Sequence, residues 1–138
     1  MALLCPDVGE VLLLTDLLGG GTLENWKLKL YKTNVTPAES DTAGSYTVAD
    51  FTGYADKTLT RSLTGSTWAT PATSSGTTSS QYNSGTPQSW SATSAQTIYG
   101  YYVVGATSTT LAFAELLGAS ISLINPSTLT MIPKVQFD

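Results

Sequence analysis

Histidine is absent from the 138 residues, and cysteine occurs once, as Cys5. The first absence removes the commonest proton shuttle and the commonest zinc ligand, so most hydrolase templates fail. The second excludes an internal disulfide and any paired-cysteine metal motif. Charge is scarce as well: charged residues make up 12% of the chain, against roughly 25% in an average globular domain. Six Lys and Arg against ten Asp and Glu leave a net charge of −4, which offers no basic footprint to nucleic acid or to an anionic membrane. No apolar run approaches the roughly 20 residues that span a bilayer. Asp7, Glu10 and Asp16 interrupt the apolar N-terminus, which lacks the basic start of a secretory signal. The expectation is a protein that is soluble or held in an assembly by protein contacts, with no cofactor and no metal.

What is present suits a folded β domain. Hydrophobic residues are 41% of the chain and aromatics 9%, which argues against disorder. The length is that of one domain, so a single β domain over 1–138 is expected, with 1–21 as a helical segment or arm and 22–138 as a β-sandwich. Its centre is the stretch from Thr97 to Leu117. There Ile98, Tyr99, Tyr101, Tyr102, Val103 and Val104 precede a turn at Gly105 to Thr110, and Leu111, Phe113 and Leu117 follow it. β-Branched and aromatic runs on both sides of a small polar turn predict a hairpin.

Residues 6 to 18 begin with a proline suited to helix entry and with acids suited to the positive end of the dipole, and Gly19-Gly20-Gly21 stops the helix. Its apolar residues wrap most of the way round, so the segment should bury more than one face: under the sheet, or in part against a neighbouring subunit. Trp26 to Lys32 alternates Trp26, Leu28 and Leu30 with Lys27, Lys29 and Tyr31, the period of a strand with one wet side. A long polar loop reaches Ser45. Thr47 to Phe51 fits a capping pattern, so a helical turn is expected there, and Tyr54 to Leu63 reads as a strand with Leu59, Arg61 and Leu63 on one face. Between Ser62 and Ala114 no residue is charged. Within that region, 64–95 is rich in Ser, Thr and Gly; strands are expected near Thr77 to Asn83 and Ser89 to Ser94, with turns at Gly76, Gly85 and Pro87. Ile121 to Ile124 and Leu129 to Phe137, across Asn125-Pro126-Ser127, read as another antiparallel pair with Pro133 at an edge or bulge. The pattern as a whole predicts an all-β fold, an antiparallel β-sandwich or jelly roll with a short N-terminal helix.

Candidate chemistry is thin. Glu39, Asp41 and Asp50 lie in or beside polar loops where solvated acids are expected, and their spacing matches no calcium loop. Glu115 is the only charge between Arg61 and Lys134 and falls in the apolar second arm of the hairpin, so if buried it needs Arg61 or Lys134 as its partner. Trp68, Tyr82 and Trp90 stand out in a segment with few other large side chains. They can serve as core, as a protein interface with Val11, Leu12 and Leu14 of the N-terminal segment, or as a sugar-stacking platform.

Four stretches carry a resemblance: Val8-Gly9-Glu10-Val11-Leu12-Leu13-Leu14, Leu28 to Pro37, Phe51-Thr52-Gly53-Tyr54-Ala55 and Ile98-Tyr99-Gly100-Tyr101-Tyr102-Val103. Together they resemble small structural proteins of tailed-phage virions, most of all capsid cement or decoration proteins. The resemblance implies a non-enzymatic β-sandwich on the capsid surface that binds the major capsid protein and copies of itself. It carries no catalytic residue onto this chain. The alternative is a tail-associated or secreted carbohydrate-binding β module that uses Trp68, Tyr82 and Trp90.

Overall fold

The computed structural model describes residues 3–137 other than 22, 65, 84 and 85; the turn expected at Gly85 lies outside them. Pro6 leads into α1 (Asp7–Leu17), with Asp7 and Glu10 in the first turn, where backbone N–H groups favour negative charge. Leu18 caps the helix and Gly19 follows at φ 76°, the left-handed conformation that glycine adopts at little cost. Nine strands follow among the described residues: β1 (Trp26–Tyr31), β2 (Lys57–Leu59), β3 (Ala72–Ser74), β4 (Thr77–Gln81), β5 (Gln88–Ala92), β6 (Gln96–Gly105), β7 (Leu111–Leu123), β8 (Ser127–Met131) and β9 (Lys134–Phe137). The fold is all-β and antiparallel, sandwich-like, with a short N-terminal helix.

The strands form a four-stranded sheet in the order β2-β1-β6-β7, a three-stranded sheet β3-β4-β9 and a two-stranded sheet β5-β8. β6 and β7 are the predicted hairpin, in register from Val103 opposite Phe113 to Gly100 opposite Leu116. The pairing resumes at Ile98 opposite Ile121, so 117–120 bulge outward opposite Tyr99. The supposed separate strand at Ile121 is therefore the far end of β7. The turn is held by Glu24, whose carboxylate accepts from the Thr107 and Ser108 amides.

One face of the large sheet builds the main core. Trp26, Leu28, Leu30, Leu59, Val103 and Phe113 meet Trp68, Tyr82, Trp90, Ala92 and Leu129 from the smaller sheets and their flanks. Tyr31, expected on the wet side, is fully buried in a second core on the opposite face with Tyr46, Tyr102, Val104 and Leu111. The reason is the 32–46 loop, which folds over that face. Its turn at Ala43–Ser45 is closed by a reciprocal Thr42–Ser45 capping box, and the Tyr46 hydroxyl donates to Asp41 at 2.7 Å.

Three further expectations are corrected. Thr47 to Phe51 is extended, because the Ala49 amide bonds the Leu30 carbonyl at 2.8 Å and Ala49 and Phe51 enter the core. The strand expected over Tyr54 to Leu63 shrinks to β2: Tyr54 turns inward, its hydroxyl accepting from the Leu30 amide at 3.1 Å, and the Arg61 amide leaves the ladder for the Asn25 side chain. The segments at Ile121 to Ile124 and Leu129 to Phe137 do not pair with each other: the first ends β7 on β6, and the second divides into β8, which pairs with β5, and β9, which pairs with β4. Pro133 separates them, lacking an N–H to continue a ladder, and its carbonyl accepts from the Tyr82 amide at 2.8 Å.

Candidate functional site: the exposed apolar surface

α1 sits on β7 through a narrow contact. Gly9 is its buried residue, and a side chain there would collide with the Ala112 carbonyl oxygen. Leu12 and Leu13 are half-buried against the core. Before the helix, Leu4 exchanges two backbone hydrogen bonds with Ala114, each 2.9 Å. At its far end Asp16 receives a 2.6 Å ion pair from Arg61, whose guanidinium lies 4.6 Å from the centre of the Trp26 ring. Both charged side chains are largely shielded, so this pair, planar and desolvated, fixes the helix C-terminus more firmly than a surface pair would.

The rest of the helix is uncovered. Val11 is 65% exposed, Leu17 79% and Leu18 82%, and Val8 and Leu14 also face outward. Within the chain the segment therefore buries one face, the strip around Gly9 that comes close to β7, and the outward residues are the part available to a neighbouring subunit. Of the candidate interface residues, Val11 and Leu14 are free to touch a partner, whereas Leu12 is turned toward the core. Leu23 and Leu63, also exposed, flank a cleft of about 290 Å³ walled by Trp26, Arg61, Trp68 and Val135.

Trp68, Tyr82 and Trp90 are not at the surface. All are buried, Trp90 to 1% exposure, so of the readings the sequence left open the core holds for each, and Trp68 alone also borders the cleft beside Leu23 and Leu63. The Trp90 indole donates to the Ala55 carbonyl at 2.7 Å and Lys57 lies over its ring at 5.3 Å. Trp68 meets Trp26 and Tyr82 edge-on at 5.8 and 5.2 Å. The indole N–H groups of Trp26 and Trp68 are buried without an acceptor, a cost that edge-on ring contacts offset in part.

Glu115 pairs with neither Arg61 nor Lys134. It faces Tyr101 across the β6–β7 ladder and accepts its hydroxyl hydrogen bond. Burial, together with the bond to Glu115 and its negative charge, holds the Tyr101 phenol above its ordinary range. Arg61 is committed to Asp16, and Lys134 is exposed and donates to Gln136 at 2.7 Å. Burial likewise raises Tyr31 and Tyr102, each to about 12, with Glu115 and Asp41 adding to the first and Asp56 to the second. Burial opposes ionisation of Glu24, but hydrogen bonds from the Ser108 side chain and the Ser108 and Thr107 amides, with the Arg61 charge, bring its carboxyl below the usual range. Among the described residues no three of Cys, Asp and Glu converge as metal ligands would, and no helix is long and apolar enough to cross a membrane.

Sequence reasoning missed the Asp16–Arg61 anchor and the Glu24 clasp, each joining residues far apart in the chain. No local pattern signals either. The chain matches no protein-family model, and no curated protein is significantly similar to it.

Proposed function

We propose that this chain is a non-enzymatic structural protein of a phage virion, a capsid cement or decoration protein that stabilises the shell by binding the major capsid protein and itself. The observation that carries the reading is the set of large apolar side chains left uncovered, Leu17, Leu18, Leu23 and Leu63 among them, on a body whose core is complete without them. Exposed apolar surface of this kind marks sites of association. The cleft beside Leu23 and Leu63 is the part we assign to the capsid protein. Many copies with modest contacts hold a shell through avidity, so no single contact need be tight. In this reading the chain waits in the host cytoplasm and ends on the capsid surface.

Mixing the purified protein with undecorated particles and counting bound copies tests the proposal. Saturable binding over the whole shell is expected, and Leu18→Glu with Leu63→Glu should abolish it without unfolding the chain. Absence of binding to the shell, or binding confined to the tail tip or to glycans, would overturn it.

A further inference from the structure

We infer that the chain pairs with a second copy of itself through a two-fold strip running from the N-terminal half of α1 to the lysines of β1. Three shallow concavities lie end to end on one surface. The first, about 360 Å³, is bounded by Asp7, Val8, Val11 and Thr110. It shares Val8 and Thr110 with the second, about 310 Å³, which runs along the β6–β7 turn to Ala43 and Thr109. Ala43 and Thr109 also border the third, about 70 Å³, where Lys27, Lys29 and Tyr102 stand. The strip is continuous because neighbouring concavities share walls.

Its two ends carry opposite charge. Asp7 lies at one end, with exposed Glu10 in the same first turn and Glu39 beside it, whose carbonyl accepts from the Asp7 amide at 3.0 Å. At the other end Lys29 is paired with Asp56 at 3.0 Å, while Lys27 has no ion-pair partner among the described residues. Between them the walls are uncharged. A two-fold axis through the middle places the acids of each copy on the lysines of the other and brings Val8 and Val11 to the end of the strip that holds the half-buried Ala43. α1 pairing with α1 alone has no such match, because its last turn has no basic residue to receive the acids of a partner helix.

The inference deepens the self-association part of the proposed function and rests on it, but it uses a different surface from the one assigned to the capsid protein. Sedimentation equilibrium of the full chain over a concentration series at low salt should show a monomer–dimer equilibrium. Val11→Asp and, separately, Lys27→Glu should each weaken the dimer at least ~tenfold. Asp7→Lys combined with Lys27→Glu should restore it to within about threefold, since exchanging the two charges that face each other keeps that pair opposite in sign. Circular dichroism on each variant checks that the fold is retained. A chain that stays monomeric, one that grows without limit, or a double reversal that rescues nothing overturns the inference. A monomer that still coats particles refutes this pairing alone, and a dimer that ignores particles refutes the capsid reading alone.

Discussion

Residues 7–18 and residues 64–95 exchange the places that their compositions suggest. The first is rich in Val and Leu, yet Val11, Leu14, Leu17 and Leu18 lie in water. The second is mostly Ser, Thr, Gly and Ala, yet it supplies Trp68, Tyr82 and Trp90 to the main core. The difference is one of reach. α1 approaches β7 most closely where Gly9 removes the side chain, and only Leu12 and Leu13 beside it reach the core, so most apolar positions around the helix have nothing to meet. The Ser/Thr-rich segment instead forms strands opposite β8 and β9, and each of its large side chains is placed between sheets. Burial follows from available partners, not from the hydrophobicity of a stretch.

That comparison can be broken from the polar side first. Trp90→Ala removes a fully buried indole with its hydrogen bond to Ala55, and should cost ~3–5 kcal/mol in chemical denaturation. A loss below about 1 kcal/mol would mean that the 64–95 segment only decorates the core. On the helix side, Gly9→Ala forces α1 away from β7 and should cost about 1–3 kcal/mol. Faster amide exchange at Leu4 and Ala114 should report the lifted seat, and unchanged exchange would show that the contact tolerates a methyl group. The smallest effect belongs to Val11→Ser with Leu14→Ser, which in protein dilute enough to be monomeric should leave unfolding within about 0.5 kcal/mol of the parent. A larger destabilisation would place those side chains in the fold itself and remove the contrast.

The hairpin of β6 and β7, the β1 alternation and the helix with its glycine stop were legible because each depends on residues close together in sequence. Tyr31 shows where local reading ends. It keeps the parity of Lys27 and Lys29, and only the 32–46 loop folding over that face makes its surroundings dry. Glu115 shows the same: the sequence offers Arg61 and Lys134 as the nearest charges, but register puts Tyr101 opposite it. Arg61 is drawn to Asp16 across the fold.

From its sequence alone the chain was determined to be an antiparallel β protein with an N-terminal helix and without histidine chemistry, since strand period, turn residues and helix caps act over a few positions. Which strands share a sheet, which aromatics are buried and which apolar face is left for a partner were decided by the tertiary structure. Those outcomes depend on surfaces brought together from distant parts of the chain, where a single missing side chain, at Gly9, sets what can touch.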